Sequence, residues 1–451
     1  MAISVAELHT TLHDLFHDGA DQLAKDTGFC RRKRQLGGSA FAKTLVFSLL
    51  EKPASSLQDF ADFAAEHLHV HVSHNAFEQR FSDKAPDFLA ALFARALDRC
   101  FTARPALLPL LRRFRGVYLR DATVVGLPAC LAQLFPGRKG KGGKPSAALK
   151  LVLEMEVSTG QLTEAEVLAG LDNEKASQVA AKPLPAGSLL LEDMGFLEGE
   201  RLQEYIEQGV YFLTRVPAWT AFFEQEARGK GYRRLDVVRW LRRARGWHLE
   251  RQVHVFHKQK LRLRLLAVRV PPEVAEQRRQ RARQEAKKKG RPVSQKKLEM
   301  CEWNVLVTNA PPELISAADG WEIRRVRWQI ELVFRVFKSE GGIGKTQARS
   351  RERVLSELYA KLLAMLVLRW ALLAAGFRQL RHSGQPAARR VKKRAASLLR
   401  ALACAGELAE QIKGLARQIK ACEIQKSHSK PSTLDRLAAL DAEYRSLDHA
   451  A

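Results

Sequence analysis

The run RRVRWQIELVFRVFK at residues 324–338 narrows the possibilities more than any other stretch of the chain. On a helix advancing about 100° per residue, Arg327, Glu331 and Lys338 fall within roughly 40° of one another, and Arg324 and Arg335 lie near the same face. Val326, Ile330, Val333 and Phe337 form a separate apolar stripe able to bury against a core. One carboxylate ringed by cations, on a helix anchored by its neighbouring face, suits a task that brings a metal ion and a phosphate together. The same spacing also describes a surface helix carrying a Glu–Lys/Arg ladder. The rest of the chain has to choose between them.

Charge is the first guide. Lys and Arg number 75 against 49 Asp and Glu, a formal surplus of +26 over 451 residues. So large a surplus implies a polyanionic partner, and nucleic acid fits best. A membrane partner is not expected. The first residues, MAISVAELHTTLHDLF, lack a basic segment followed by an apolar core, and the longest apolar stretch, 358–376, is interrupted by Lys361 and Arg369 and reads as a buried helix. The six cysteines are scattered without a CxxC pair, which predicts free thiols in a reducing compartment and no structural zinc. A chain of this length, with 46% hydrophobic residues, has material for about two to four structural units.

Residues 1–110 read as helical throughout, with apolar residues at helical spacing in 4–26, 39–51, 56–67 and 73–102. SSLQDFADFAAEHL and SHNAFEQRF could form a helix-turn-helix, Ser73 capping a second helix that offers Asn75, Gln79 and Arg80 to DNA. An ordinary helical hairpin explains the same pattern. The run CRRKRQ (30–35) suits phosphate contact or a plain exposed loop. His67, His69, His71 and His74 alternate through a linker and are not expected to hold a metal.

From Gly116 the period changes from helical to alternating. VYLRDATV predicts a short strand ending in an acid, with Val117, Leu119 and Asp121 on one side. A Gly/Lys-rich loop (136–146) follows, then a β-hairpin from LKLVLEMEV and QLTEAEVLAG across the turn STG. In LPAGSLLLEDMGF, Leu189, Leu191 and Asp193 alternate onto one side and Glu192 onto the other. A helix over 198–208 and the strand VYFLTRV complete a mixed α/β layout. Residues 217–320 interrupt it with the strands HLERQVHVF, LRLRLLAVRV (Arg262 and Arg264 outward) and CEWNVLVTN. Ten basic residues fall between Arg278 and Lys297 in a segment read as a solvated helix or partly disordered. Residues 345–451 are helical and basic.

Phosphodiester chemistry explains why these parts would occur together. Two divalent ions about 3.5–4 Å apart clamp the attacking and leaving oxygens, and hard ions such as Mg²⁺ take carboxylate oxygens. Two acids at adjacent strand ends and a third from a helix would supply them, with Arg and Lys gripping phosphates. Singly, each acid is as well explained as a turn or cap residue.

With those residues in view, the chain resembles a DDE transposase of the insertion-sequence-four type. That family's third motif reads Tyr-x2-Arg-x3-Glu-x6-Lys. Arg327, Glu331 and Lys338 match its last three positions within the run RWQIELVF. YLRDATVVGLP resembles the first-acid motif, pointing to Asp121. LLLEDMGF followed by YFLTRV resembles the second, pointing to Asp193. TGFCRRKRQLGGSAFAKTLVFSLL resembles the family's N-terminal region, so the likeness covers roughly residues 25–340. Arg324 stands where the family has Tyr, and Met194 where Arg is frequent.

The resemblance implies an RNase H-like core with a β-rich insertion, flanked by helical N-terminal and C-terminal domains. The segments would be a helical DNA-binding unit over 1–110, the first part of the core over 111–216, the insertion with its basic segment over 217–320, the last core helix over 321–345 and a helical region over 346–451. Asp121, Asp193 and Glu331 would hold two Mg²⁺ ions, for which Mn²⁺ should substitute. Arg327 and Lys338 would hold DNA near the cut, with Arg324, Arg335, Arg80 and Gln79 as further DNA contacts. Double-stranded DNA, as transposon ends and target, is the implied partner, and a homodimer on paired ends is the implied assembly. The setting would be the bacterial cytoplasm, at the nucleoid when acting. A transposase-derived protein that binds DNA without cutting it is the alternative. GGIGKT (341–346) follows a helix and lacks the first Gly of a P-loop, and Tyr444 has no HxxR partner for recombinase chemistry.

Overall fold

The computed structural model describes residues 3–32, 34–99, 101, 109–138, 146–217, 220–226, 231–424 and 431–448. Lys33 of the basic run, Cys100, residues 139–145 of the Gly/Lys loop and the Tyr444 side chain lie outside the described residues. The fold is mixed α/β. Ten strands, β1 (Val117–Leu127), β2 (Ala147–Glu156), β3 (Leu162–Ala169), β4 (Leu189–Glu192), β5 (Tyr211–Arg215), β6 (Phe222–Gln225), β7 (Tyr232–Leu235), β8 (His248–Val255), β9 (Leu261–Arg269) and β10 (Trp303–Thr308), form one sheet. Their order is β3-β2-β1-β4-β5-β10-β9-β8-β6-β7. Among the described residues, only β1–β4 and β4–β5 are parallel pairs.

Alternation along the strands sends side chains to two cores, as a period of two requires. Val117, Leu119, Leu189 and Leu191 enter the larger cluster, while Leu190 and Tyr118 join the smaller one on the other face. The later strands extend the sheet of the first five, because β10 runs antiparallel to β5 with Leu306 opposite Arg215. Asn309 continues that ladder with its side chain, accepting from Phe212 N–H and donating to Val210 O, both at 2.8 Å. Arg264 does not point outward with the exposed Arg262. It is 3% exposed and forks onto Glu250 at 2.6 and 2.7 Å, and it donates to the carbonyls of Ala310 and Ile315. The segment after β10 folds back over that part of the face.

Helices from both ends of the chain share one core. Val5–Phe16, Asp18–Asp26, Gly38–Glu51, Leu57–Leu68 and Ala85–Leu97 supply one side, and the 24-residue helix Arg351–Ala374 lies among them. It is buried along nearly its whole length, Lys361 and Arg369 included. Arg369 reaches the β2–β3 turn, donating to Gly160 O at 2.7 Å. Gly160 has φ of +73°, which an L side chain rarely adopts. No described helix is long and apolar enough to cross a membrane.

The helix His74–Glu78 is five residues long, little more than one turn. Ser73 caps it, its hydroxyl accepting from Ala76 N–H at 3.1 Å. Gln79, just beyond, is exposed. Arg80 is buried: its guanidinium lies 4.1 Å from the Phe29 ring centroid and donates to Cys30 Sγ at 3.0 Å. Phe77 and Phe81 pack into a phenylalanine cluster with Phe41 and Phe60, which draws the segment inward.

Candidate active site

Strand pairing brings the first two acids together. Asp121 is not at a strand end. The antiparallel pairing of β1 with β2 runs on to Leu127 opposite Ala147, whereas the parallel pairing with β4 stops at Arg120 opposite Glu192. Asp121 is therefore the first residue of β1 beyond the reach of β4, and Asp193 is the first residue after β4.

The third acid comes from the 324–338 run, which is not one regular helix. Asp319–Arg325 and Trp328–Ser339 are separated by a tightened turn at Val326 and Arg327. Both keep right-handed dihedrals, but their N–H groups donate three residues back, Val326 to Ile323 O at 3.0 Å and Arg327 to Arg324 O at 3.2 Å. The apolar stripe survives the break: Val326 and Ile330 are 0% exposed and Val333 and Phe337 4%. That stripe seats the second helix against β1.

Arg327 is the hub of the arrangement. One Nη donates to Asp121 Oδ2 and the other to Glu331 Oε1 at 2.6 Å, so a single guanidinium joins two of the acids. Asp121 Oδ1 accepts from Ala122 N–H at 2.8 Å. Asp193, its side chain 41% exposed, faces Arg324 Nη2 at 3.5 Å, and the same nitrogen donates to Glu192 O at 3.2 Å. Arg324 is 5% exposed, and its contacts are these backbone and carboxylate oxygens. Arg335 and Lys338 are exposed further along the helix. Trp328, next to Arg327 in the chain, is 48% exposed.

Electrostatics tie the three acids together. Burial pushes the Asp121 carboxyl up to about 6; Arg327 and the Ala122 N–H oppose this, and the charges of Asp193 and Glu331 add to it. Arg324 is lowered to about 9, by burial first and by Arg327 second. For Arg327, burial works against the charge, but Asp121, Asp193 and Glu331 outweigh it and raise its pKa. Among the described residues no three His, Cys, Asp or Glu form a ready-made metal cage. The donor set is nonetheless hard carboxylate oxygen, the kind Mg²⁺ and Mn²⁺ take. Burial, more than the charges of Asp193 and Glu331, disfavours the Asp121 carboxylate, and a cation there would oppose that penalty.

One group of charges escaped sequence reasoning. Behind Asp121, on the opposite face, Arg120 is 0% exposed and contacts Glu154, Glu192 and Tyr205. Burial disfavours its charge, yet Glu154, Tyr205 and Glu192 raise its pKa. Burial likewise pushes Glu192 up to about 7 against the pull of Arg120. A sequence signal existed: Arg120 and Glu192 are charged positions facing away from the apolar side of otherwise apolar strands.

Comparison with known proteins places the chain. The family model for the transposase DDE domain matches residues 112–367, more than half of the chain. The transposase for insertion sequence element IS231F of Bacillus thuringiensis subsp. israelensis is 27% identical over 362 residues, covering 77% of this chain and 76% of that one. The IS1151 transposase of Clostridium perfringens is 24% identical over 365 residues, with 77% and 76% covered. The IS421 transposase of Escherichia coli is 25% identical over 353 residues, with 77% and 89% covered. The solved piggyBac transposase synaptic complex with hairpin DNA aligns with a TM-score of 0.47 at 9% identity over 94% of this chain and 86% of that one, a likeness at which no shared fold is established. With the insertion-sequence-four resemblance of the Arg327–Lys338 motif consistent with these matches, the chain belongs to the DDE transposases of insertion sequences.

Proposed function

We infer that this transposase cuts DNA at the inverted-repeat ends of its element and joins the freed 3′-OH to target DNA. The observation that carries the reading is the single guanidinium of Arg327 shared by Asp121 and Glu331, with Asp193 next along the sheet and close enough to raise the Asp121 pKa. Asp121, Asp193 and Glu331 would hold two Mg²⁺ ions, or Mn²⁺ in their place; bound there, the ions supply Lewis-acid stabilisation of the attacking and leaving oxygens. Arg327 and the exposed Lys338 and Arg335 are suited to gripping phosphates beside the acids. The +26 surplus supplies attraction to both donor and target duplexes.

The first five strands support an RNase H-like core: two antiparallel hairpin pairs lead into two parallel ones, with acids where β1 and β4 part. Residues 217–320 would then be the insertion that lengthens the sheet, with 1–110 and 346–451 as helical flanks. The chain would act as a homodimer on paired ends. A DNA-binding protein without cleavage is the weaker reading, because all three carboxylates are present, Asp121 and Glu331 on Arg327 and Asp193 beside Arg324.

The test is mobilisation in cells, with the gene and its native flanking DNA on a non-replicating plasmid, scored by recovered insertions. Wild type is expected to give insertions, and Asp121→Asn, Asp193→Asn and Glu331→Gln none. Insertions from any one variant would remove that acid from the site. No insertions from wild type would favour the non-cleaving reading.

A further inference from the structure

Glu154, Arg120 and Glu192 stand side by side in one rung of three strands, since Arg120 is in register with Glu154 of β2 and with Glu192 of β4. Their side chains leave the sheet on the face opposite Asp121. The three are 3%, 0% and 0% exposed. Arg120 donates from Nη2 and Nε to Glu154 Oε2 at 2.6 and 3.2 Å, and from Nη1 to Tyr205 Oη at 2.6 Å and Glu192 Oε2 at 3.4 Å. Thr163 holds the other Glu154 oxygen at 2.9 Å. The second Glu192 oxygen is buried without a hydrogen-bond partner.

Such a rung is a poor way to gain stability. Taking three charges out of water is expensive, and apolar side chains of like volume usually do as well. Its position suggests what else it serves. The next rung holds Asp121 and, where β4 ends, Asp193. Because neighbours on a strand point to opposite faces, any slip or splay of β1 against β4 at Arg120–Glu192 carries both carboxylates with it. Arg327 and Arg324 hold those carboxylates from the front through long, rotatable side chains, whereas the rear rung acts on the strands themselves.

The geometry points to Arg120 as a positioning residue: with Glu154 and Glu192 it clamps β1 to β4 from behind and fixes the spacing of Asp121 and Asp193 at which divalent cations are taken up. This rests on the reading of those two acids as metal ligands.

The experiment uses the full chain without DNA, with Mn²⁺ binding followed by electron paramagnetic resonance and folding by thermal unfolding. Arg120→Met/Glu154→Leu/Glu192→Leu replaces the rung with apolar groups. Arg120→Lys and Glu192→Gln are milder changes, a lysine being unable to fork across two carboxylates. Asp121→Asn and Asp193→Asn run beside them. The triple variant should unfold close to wild type yet bind Mn²⁺ about tenfold or more weakly, the range typical of outer-shell changes at metal sites. Arg120→Lys should fall in between. Wild-type Mn²⁺ affinity in the folded triple variant, or in both single variants if the triple does not fold, overturns the clamp. If the two Asp→Asn variants lose Mn²⁺ while the rung variants keep it, the clamp alone fails. If the Asp→Asn variants also bind like wild type, the reading of the acids fails and the clamp with it.

Discussion

Arg327 has more partners than its helical spacing alone assigns. It stands four residues before Glu331, the separation at which helical neighbours pair, but it also spans to Asp121 from a strand some two hundred residues earlier. The Glu331 position was legible in the motif, whereas the bridge to Asp121 needed the sheet and helix to meet. Glu331→Gln should abolish cleavage of end-bearing DNA while leaving retardation of the same DNA in a gel within about twofold, since one outer carboxylate contributes little to phosphate grip. Trp328 is the reverse case, a large apolar residue left out of the core. Trp328→Ala should change unfolding free energy by only about 0.5 kcal/mol, the range of surface substitutions, in urea titrations. A loss near 3 kcal/mol would mean it packs as core aromatics do. Lys361 is buried at 1% exposure, and desolvation lowers its pKa to about 8 against the pull of Glu357. Between that value and the ordinary lysine value of about 10.4 the unfolded chain holds the proton and the folded chain has shed it, so stability rises with pH across this window. Lys361→Met should stabilise the protein at pH 7.5 and flatten that rise, because Glu357 keeps Arg353 at 2.9 Å. Parallel melting curves of the two proteins from pH 7.5 to 10 check it.

At the scale of elements, the apolar stripe of Trp328–Ser339 does what its periodicity predicts, and it carries Glu331 as a passenger on the neighbouring face. Ile330 is 0% exposed at the centre of that stripe. Ile330→Ala should cost about 2–5 kcal/mol in urea unfolding, as buried Ile-to-Ala changes do, and should impair cleavage further because the helix loses its seat on β1. The strands were also legible in kind, since VYLRDATV and LLLE are short, largely apolar runs, LLLE being buried throughout. Their lengths were not. β1 continues past Asp121 because β2 keeps pairing with it, and no local signal in DATVVGL says where a distant partner stops. The break at Val326–Arg327 was hidden for a similar reason: both residues hold helical dihedrals, and only the hydrogen-bond pattern changes.

On the scale of the whole molecule, charge is the property the sequence states most plainly. With +26 distributed over 451 residues, binding to non-specific duplex should weaken steeply with salt. If about 6–10 phosphates are engaged, affinity should fall about 10³–10⁵-fold between 50 and 200 mM salt; a slope near zero in fluorescence anisotropy would mean that the surplus charge does not meet DNA. The sequence by itself determined the periodicities of the longer segments, hence most of their helix or strand character and their apolar faces, because those follow from backbone geometry acting over a few residues; the short strands β6 and β7 carried no such signal. It also carried the motif by which the family is matched. Only the tertiary structure decided which polar groups turn inward. Arg80 is claimed by Phe29, Arg264 by Glu250 and two carbonyls, Arg324 by the Glu192–Asp193 backbone and carboxylate, and Arg120 by acids on both flanking strands. Most of those partners are far away in the chain, and whether a charged side chain meets water or a distant counter-group is settled only once the sheet has brought them within hydrogen-bonding reach.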